Sequence, residues 1–550
     1  MIDTVNFTTY AGSLPFIKIS ATILALYVLW KIIFPNTTKL PTGLPIVGAK
    51  AGDWFPFWQA TWRNSLNIHD TILEAYKNYG NEAAILPVAG PGGQTFVLLP
   101  ASETKHVTEQ PDSVLNLRDV IVQGLMYEYT LSNKYLITNP AHKKLITSTL
   151  TNQVGNLLPA LADETKHAFA QGWGLDTESF RDVTIWDSMG DIVTSATNRA
   201  LVGLPFCRDE AFLNAGLGFA RAVPLSQLFL SFVWKPLRPV LAPLLTLPCR
   251  FYEGRFTAVL RSEIEERLRH AANSIEASTN DTTEANCKND FLQWCIAQAL
   301  ESHDPPMRQT ATLAGRILLT NLVSIHTSSL TITNLMLDLV SSPPEIVEEI
   351  RSEIETVLKD CGGNWTKLAF AKMEKLDSVF RESARLSTLV AIGLRRRVVA
   401  KEGFTTSTGV HIPCGAFCAV HNLGVVHDPM VYTDADTFKP FRFVGMRRNI
   451  QSDNRNHDHV QRARLTFTAT TNDYLAFGNG RQSCPGRFFA AAELKLMVAY
   501  ALMYYDLEHL DSRPKDRWIG ILRVPSATAS IRVRRRKSSI GDEIHSNKTV

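Results

Sequence analysis

A cysteine set among glycines, directly before a helix-forming stretch, constrains the fold of this chain more than any other feature. Residues 477–486 read Phe-Gly-Asn-Gly-Arg-Gln-Ser-Cys-Pro-Gly, and residues 487–495 read Arg-Phe-Phe-Ala-Ala-Ala-Glu-Leu-Lys. Glycine lets a backbone pass close to a flat group and turn back, and proline suits the start of a helix. The pattern predicts Cys484 at a helix N-terminus, where N–H groups and the helix dipole lower the thiol pKa and favour a thiolate ligand for iron. An inert cysteine in a turn would explain Cys484 but not the residues around it.

A polar run inside a long apolar stretch is the second informative feature. Residues 312–340 are apolar and long enough to form a helix that crosses a domain, so a core helix is the simplest interpretation. Ser324, His326, Thr327 and Ser328 interrupt the stretch. Because buried polar groups need partners or a function, we expect these side chains to take part in chemistry.

Two shorter motifs lie between these segments. Glu382-Ser-Ala-Arg385 places a carboxylate and a guanidinium on one helix face, although an exposed pair on any helix would look the same. The segment Phe438-Lys-Pro-Phe-Arg442-Phe443 follows downstream and brings a further guanidinium. Each motif alone is weak evidence for a particular fold or function. Their occurrence in one chain with the cysteine loop strengthens that evidence.

Together these motifs resemble the cytochrome P450 monooxygenases, whose haem loop follows Phe-x-x-Gly-x-Arg-x-Cys-x-Gly. Phe477, Gly480, Cys484 and Gly486 match that loop. The resemblance implies haem b as the cofactor and Cys484 as the axial ligand of its iron. It also implies that Phe477, Gly480 and Gly486 lie against the haem.

The charges that would hold the haem propionates are less regular. Gln482 stands where the family usually has a basic residue that contacts a propionate, so neighbouring Arg481 is expected to supply the charge. In the run Arg395-Arg396-Arg397, one side chain is expected to face a propionate, and Arg396 and Arg397 are the candidates. The others would then be surface charges.

The resemblance also assigns roles within residues 312–340, where the family reads Ala/Gly-Gly-x-Asp/Glu-Thr-Thr/Ser. Thr327 matches the threonine that takes part in oxygen activation, His326 replaces the usual acid and Ser324 replaces the glycine. A His–Thr pair can still relay protons, because imidazole donates and accepts near neutral pH. We therefore predict Thr327, His326 and Ser328 as catalytic residues. The histidine variant is similar to those of fungal secondary-metabolite oxidases.

The resemblance covers roughly residues 40–530 and implies the cytochrome P450 fold, which is mainly α with small β-sheets (α+β). The sequence itself reads as helices over most of residues 60–380, as a strand over 94–100 and as a small sheet over 395–419. The family also gives Glu382, Arg385 and Arg442 a structural role, in which the helical pair binds the later arginine and holds the haem-side core.

The implied reaction is reductive activation of oxygen. An NADPH-dependent cytochrome P450 reductase would deliver electrons, with cytochrome b5 as a further candidate donor. Hydroxylation or epoxidation of a lipophilic molecule, such as a terpenoid or polyketide, is expected, and Ile392 and Leu322 are expected to line an apolar pocket. One alternative is a haem-thiolate isomerase or dehydratase that needs no reductase. A non-enzymatic haem-binding membrane protein is another.

The N-terminus predicts a membrane anchor. Residues 14–34 are almost wholly apolar, no small-residue cleavage site follows, and a buried core helix is the alternative. Lys31 lies near the C-terminal end of the segment and Lys39 follows it, which places the catalytic domain in the cytosol under the positive-inside rule. We therefore expect a single-pass protein of the endoplasmic reticulum membrane. Asn6-Phe-Thr8 would be a luminal glycosylation sequon.

The predicted organisation is a single catalytic domain with short terminal segments. Five parts are expected: a luminal N-terminus at 1–13, the transmembrane anchor at 14–34, a proline-rich hinge at 35–50, a haem-thiolate catalytic domain at 51–530 and a basic polar tail at 531–550. The net charge of only +4 argues against nucleic acid as a partner. A polar surface loop is expected at 274–289.

Overall fold

The computed structural model describes residues 40–89, 94–276, 288–450 and 455–537. In these ranges the fold is mainly helical with small β-sheets, which confirms the predicted class. The helices are α1 (Pro56–Leu66), α2 (Ile68–Tyr79), α3 (Thr104–Glu109), α4 (Leu117–Gly124), α5 (Tyr127–Thr130), α6 (Tyr135–Thr138), α7 (His142–Leu145), α8 (Thr151–Trp173), α9 (Ile185–Leu201), α10 (Glu210–Phe232), α11 (Arg238–Leu245), α12 (Leu247–Glu276), α13 (Phe291–Glu301), α14 (Thr310–Val340), α15 (Pro344–Asp360), α16 (Lys367–Lys372), α17 (Glu374–Leu386), α18 (Leu423–Val426), α19 (Arg442–Arg448), α20 (Arg455–Ala463) and α21 (Arg487–Tyr504).

The strands form one larger sheet and three small ones. They are β1 (Ala84–Leu86), β2 (Phe96–Leu99), β3 (Leu115–Asn116), β4 (Arg181–Thr184), β5 (Ile392–Val398), β6 (Phe404–Thr405), β7 (His411–Ile412), β8 (Phe417–His421), β9 (Tyr505–Leu507), β10 (Arg517–Ile519), β11 (Leu522–Val524) and β12 (Ser530–Arg535). The five-stranded sheet has the order β1-β2-β8-β5-β3, in which only the β2–β8 pair is parallel. The strands predicted within 94–100 and 395–419 are therefore confirmed.

The central helix of the fold is α14, which was predicted from residues 312–340. Its first half, including Ile317 and Leu318, packs into a hydrophobic core with α10 and α12. Its second half, including Leu335 and Met336, packs into a second core with α8, α9 and α21. Because both cores share α14, this helix fixes the relative positions of the helices on either side of it.

The strand β5 contains a bulge that decides which way its arginines point. The pairing of β5 with β8 shifts register between Gly393 and Arg396, and Leu394 between them has φ of 46°. A bulge inserts an extra residue and re-aims the side chains that follow it. The arginines after the bulge therefore point to alternating faces of the strand, with Arg396 buried and the residues on either side of it less so.

Two predicted boundaries are wrong. Residue 531 does not begin a solvated tail, because β12 pairs with β4 and β9 and buries Ile531 and Val533. Apolar residues alternate there with arginines, which is the pattern of a strand with one buried face. The hinge predicted at 35–50 is also packed in its described part, where Ile46 bridges to Ile85 and Val47 is buried.

Several predictions fall outside the described residues. The luminal segment, the anchor at 14–34 and the Asn6 sequon precede residue 40. Among the residues that the structure does describe, no helix is both long and apolar enough to cross a membrane. Of the surface loop predicted at 274–289, the first residues continue α12 to Glu276, and 277–287 are outside the described ranges.

A buried carboxyl group lies in the second core. Glu493 on α21 is 1% exposed, one of its oxygens accepts a hydrogen bond from the Thr197 hydroxyl at 2.8 Å, and the other has no partner among the described residues. Burial raises the pKa of Glu493 to about 8 from an ordinary value of 4.5, and the Thr197 bond only partly opposes this. Glu493 is therefore protonated in the folded protein at neutral pH.

This burial predicts a pH dependence of stability. The contribution of Glu493 to the free energy of unfolding is fully present below pH 4.5 and is lost as the pH rises through about 8, because the unfolded chain releases the proton first. We expect Glu493→Gln to flatten the fall in stability between these values by up to about 1.4 kcal/mol per pH unit. Urea unfolding of both proteins across this range measures the slope, and equal slopes would contradict the assignment.

Candidate active site

The segment around Cys484 folds as a tight loop that leads into α21. The backbone N–H of Cys484 donates to the carbonyl oxygen of Phe477 at 2.8 Å and closes the loop. The Phe477 ring packs edge-on against Phe467, with the ring centres 5.0 Å apart, so the start of the loop is fixed to the core. After the loop, α21 begins at Arg487. Cys484 therefore lies just before a helix N-terminus, as predicted.

Glycine is required at two positions of this loop for local reasons. Gly478 and Gly480 have φ of 69° and 71°, which other residues rarely adopt. A Cβ added to Gly480 would also lie 2.8 Å from the Cβ of Thr108. Gly486 differs, because a Cβ there would meet only the Ile146 side chain at an ordinary 3.8 Å. The protein itself does not require glycine at 486, whereas a flat group bound beside the loop would.

The electrostatics of Cys484 only partly match the expectation. The backbone N–H groups of Gly486 and Arg487 and the charge of Arg487 act to lower the thiol pKa, as expected at a helix N-terminus. Burial of the sulfur is the larger effect, however, and the net result is a thiol pKa above its ordinary value. The predicted lowering of the pKa is therefore wrong for the protein alone. A cation bound at the sulfur would reverse the balance, because a coordinated thiol is deprotonated.

A stripe of accessible residues runs along the middle of α14. Val323 is 58% exposed and Thr327 is exposed one turn later, although most neighbouring residues of this helix are buried. Ser324 and Thr331 are partly exposed on the same side. Since most of α14 is packed between two cores, this stripe is the part of the helix that a cofactor or a substrate could reach.

The hydroxyl groups of this stripe bind the backbone of their own helix. Thr327 Oγ1 donates to the carbonyl oxygen of Val323 at 2.9 Å, and Ser324 Oγ donates to that of Thr320 at 2.6 Å. Thr331 Oγ1 donates to the Thr327 carbonyl at 2.8 Å. Such bonds leave the lone pairs of each hydroxyl available to a second partner. The prediction missed Thr320 and Thr331, which the spacing of hydroxyl residues at helical intervals could have indicated.

The other two predicted catalytic residues of α14 lie elsewhere. Ser328 is 4% exposed and points into the protein, so it is not part of the accessible stripe. His326 is partly buried and lies on the side of α14 that faces Ala220 and Arg221 of α10. Burial and the charge of Arg221 lower the pKa of His326, so the ring is neutral near pH 7. Successive helical side chains diverge, which explains why His326, Thr327 and Ser328 do not converge on one point.

The predicted association of Glu382, Arg385 and Arg442 is confirmed. Glu382 and Arg385 are fully buried, and the guanidinium of Arg385 binds the Glu382 carboxylate through two bonds of 2.8 and 2.9 Å. Arg442 Nε reaches the same carboxylate at 3.0 Å, and the Lys439 backbone N–H donates to it at 3.0 Å. Bidentate pairing satisfies this buried charge and ties the segment before α19 to α17.

The arginines of β5 have different partners. Arg397 forms an ion pair with Asp119 at 2.9 Å. Arg396 is 3% exposed, donates to the Arg395 carbonyl at 2.9 Å and has no ion-paired carboxylate among the described residues. Burial lowers the pKa of Arg396 to about 10. The charge of Asp112 acts on Arg396 without forming an ion pair with it, and burial outweighs that attraction, so Arg396 is the side chain that an acidic substituent of a cofactor would complement best.

The predicted role of Arg481 does not agree with the loop geometry. Arg481 is exposed, whereas Gln482 next to it points inward and its amide donates to the Asp112 carboxylate and to the Leu115 carbonyl. The two side chains diverge because they lie in a tight 3₁₀ turn, Gly480–Gln482. Arg481 therefore contributes to the surface charge, and Gln482 ties the loop to the segment before β3.

An open groove lies on the outer side of α21. Its volume is about 400 Å³, and its lining includes Lys367, Arg447, Lys495 and Phe488, with Asp377 as the carboxylate. Asp377 is bound by Lys495 at 2.8 Å and by Arg447. Neither Cys484 nor Thr327 lines this groove, so we do not assign it to the reacting centre.

Comparison with protein families gives a match over most of the chain. The family described as "Cytochrome P450" matches residues 108–529, which include the Cys484 loop, the Glu382 motif and the whole of α14. The partly buried sulfur before a helix start and the buried charge of Arg396, which has no ion-pair partner among the described residues, fit the haem-thiolate cofactor that this family implies.

Curated relatives agree over nearly the full length. The chain is 28% identical to cytochrome P450 monooxygenase astC of Aspergillus terreus, in an alignment that covers 90% of this chain and 93% of the relative. It is 30% identical to cytochrome P450 monooxygenase gloP of Glarea lozoyensis, covering 88% and 90% respectively. It is 31% identical to cytochrome P450 monooxygenase 103 of Postia placenta, covering 86% and 90%.

Proposed function

The chain belongs to the cytochrome P450 family, a family of oxidoreductases, and from this premise we propose a haem-thiolate monooxygenase that takes its electrons from an NADPH-dependent reductase. Its substrate is a lipophilic small molecule of secondary metabolism, of terpenoid or polyketide type, which it hydroxylates or epoxidises. The observation that carries this proposal is the presence of two features in one domain: a partly buried sulfur in the loop that leads into α21, and an accessible hydroxyl stripe on α14.

Different residues of this chain would have different roles around the cofactor. A haem held by a thiolate would supply oxygen activation when bound. Cys484 would hold the iron, and Arg396 would compensate a propionate. Thr327 offers a hydroxyl whose proton is held by the Val323 carbonyl, while the lone pairs of its oxygen stay available to accept a hydrogen bond. Glu382, Arg385 and Arg442 keep the segment before the loop in place.

The substrate side of α14 is apolar in part. Val323 is the exposed aliphatic residue of the stripe, whereas Leu322 and Ile392, which the sequence placed in the pocket, are buried in the cores. Helical and strand geometry explains this difference, because adjacent positions point in different directions. An apolar wall beside hydroxyl groups suits a lipophilic substrate with few polar groups.

Electrons are proposed to arrive at the outer side of α21. Lys143 and Lys144 of α7 and Arg481 of the loop are exposed there, and Ile146 just after α7 lies next to Gly486. The groove beside Phe488 adds further positive charge. We name Lys143, Lys144 and Arg481 the basic surface. It suits an acidic reductase domain, because opposite charges steer association, and cytochrome b5 would be an alternative donor at the same surface.

Membrane association is proposed from exposed apolar side chains. Exposed apolar residues recur along the turn that is formed by the end of α10, by α11 and by the start of α12. Exposed apolar patches of this kind bind membranes or partner proteins. The residues are Leu225, Phe229, Phe232, Trp234, Leu237, Val240, Leu241, Leu244, Leu247 and Phe251, between 39% and 72% exposed. With the apolar segment at 14–34, this turn supports a location at the endoplasmic reticulum membrane with the catalytic domain in the cytosol.

The function is tested by NADPH-driven oxidation of lipophilic metabolites under isotopically labelled dioxygen. We expect one labelled oxygen in the product and complete dependence on reductase.

The charge-reversed variant Lys143→Glu with Lys144→Glu should slow reduction of the carbon monoxide-trapped haem about tenfold at low salt, with less effect at high salt because screening weakens steering.

The matched control reverses two exposed lysines outside the basic surface, Lys401→Glu with Lys515→Glu. This control should reduce at the wild-type rate, and dithionite should reduce all proteins equally. Turnover without NADPH and without label in the product would favour the reductase-independent isomerase or dehydratase. Absence of any turnover with a broad metabolite panel would favour the non-enzymatic alternative.

The membrane proposal predicts lipid binding that survives removal of residues 1–39. Protein beginning at residue 40 should float with phospholipid vesicles, and serine at Phe229, Val240 and Leu244 should weaken binding at least tenfold because apolar burial in the lipid is lost. Serine at three other exposed apolar positions, Leu175, Leu368 and Met430, is the control. Equal flotation of the two triple variants would contradict the assignment.

A further inference from the structure

The groove on the outer side of α21, called the α21 groove below, is walled by faces of three helices. Its walls include Ala491, Ala492 and Lys495 of α21, Lys367 and Phe370 of α16, and Val154 of α8. The members from one helix are three or four residues apart, so each helix presents a single face to the groove. A volume of about 400 Å³ between rigid elements is sufficient for a small organic molecule.

One part of the groove holds more positive charge than its carboxylate balances. Asp377 is bound by Lys495 Nζ at 2.8 Å and by Arg447, and these three side chains are buried. Burial would raise the pKa of Asp377, but the charges of Lys495 and Arg447 outweigh it, so the pKa lies below its ordinary value and the carboxylate is ionised. The triad therefore carries one net positive charge. Lys367, which is exposed at the rim, adds a second.

The two buried cations retain donors for a further partner. Arg447 is 7% exposed, and its Nε has no hydrogen-bond partner among the described residues. In the same part of the structure, Lys495 Nζ donates to Asp377 and to the Phe370 carbonyl at 3.4 Å, which leaves one of its three N–H groups. The Asp377 oxygens are already engaged, since the Phe467 N–H also donates to them. A buried cation with a free donor is stabilised by an anion.

The part of the groove near the cysteine loop is apolar. Phe488 lies seven residues before Lys495 on α21, about 10 Å away along the helix, and its side chain is exposed. Ala491 and Ala492 lie between them, and their short side chains leave space over the helix. A matching ligand therefore has an anionic head and an apolar tail of about that length.

We propose that the α21 groove binds a small amphipathic carboxylate, whose head pairs with Arg447 and Lys495 and whose tail lies over Ala492 towards Phe488. One negative charge balances the triad, and a single hydrocarbon chain fills the apolar part. The site is separate from the reacting centre, because neither Cys484 nor Thr327 lines the groove.

A bound carboxylate would act on the side of the protein where electrons are proposed to arrive. Arg487 lies over the Phe488 ring, 4.4 Å from its centre, and Arg487 Nη1 donates to the Cys484 carbonyl at 2.9 Å. The carboxylate cancels positive charge on this side, so it should slow association of an acidic reductase. This consequence rests on the proposed function, whereas binding of the carboxylate does not.

The binding test uses decanoate with a photoreactive diazirine at the end of its tail. Full-length, haem-loaded protein is held in phospholipid nanodiscs, and phenylimidazole on the haem iron keeps the probe out of the substrate space. After irradiation, label should appear in the peptide 488–495, which trypsin releases by cutting after Arg487 and Lys495. Excess decanoate should remove this label. The corresponding diazirine alcohol should label the peptide at least tenfold less, because it has no charge to pair.

The variants block the groove or remove a charge at its rim. Ala492→Trp fills the groove and should lower labelling at least tenfold. Lys367→Met should raise the decanoate concentration needed for half protection about threefold, as expected for one exposed ion pair. The matched control is Lys372→Met, which removes an exposed lysine of the same helix that does not line the groove, and it should behave as wild type.

A second readout measures electron delivery. Saturating decanoate should slow reduction of the carbon monoxide-trapped haem by reductase severalfold in wild type, and it should have no effect in Ala492→Trp. Decanol should not slow this reaction. Reduction by dithionite, which needs no protein docking, should be the same with and without decanoate.

The outcomes separate the site from its effect. Label outside 488–495, equal labelling by the alcohol, or full labelling of Ala492→Trp overturns the site. Label that reductase displaces and decanoate does not assigns the groove to an acidic segment of a partner protein, which also overturns it. Specific labelling with unchanged reduction keeps the site and overturns its role in electron delivery. If Ala492→Trp fails to bind haem, the comparison of Lys367→Met with Lys372→Met decides.

Discussion

The structure depends on a partly buried sulfur atom that a tight loop holds just before the first turn of a helix. Burial disfavours a charged sulfur, and only two backbone N–H groups and the charge of Arg487 work against that effect. Cys484 is therefore poised so that a bound cation decides its ionisation. The close approach of Gly480 to Thr108 and the inward bonds of Gln482 serve to keep the loop in the shape that presents this sulfur.

The central helix α14 is the second element on which the proposed site depends. Because α14 is shared by two hydrophobic cores, its accessible stripe cannot shift without disturbing both. Rigid elements hold reactive groups more accurately than loops do, and here the hydroxyl of Thr327 is further fixed by its own helix backbone. The neighbouring His326 faces Ala220 and Arg221 of α10 instead, so these two consecutive residues of α14 do not converge on one point.

The sequence predicted those features of the fold and of the candidate site that depend on short segments of the chain. The cysteine loop, the Glu382 and Arg385 pair and the bounds of α14 follow from local spacing, and each was placed correctly. Features set by distant contacts were not predictable in this way. Ser328 lies outside the accessible stripe because of the way α14 is rotated against its neighbours. The strand at Ile531 forms because it pairs with residues 181–184, which are distant in sequence.

The most direct test of the central claim is the absorption spectrum of the reduced, carbon monoxide-treated protein, with haem content measured in parallel. Wild type and the exposed-cysteine control Cys414→Ala should both show the long-wavelength Soret band of a thiolate-ligated carbonyl complex, and Cys484→Ala should lack it. Retention of that band by Cys484→Ala, or its absence from haem-loaded wild type, would contradict the account.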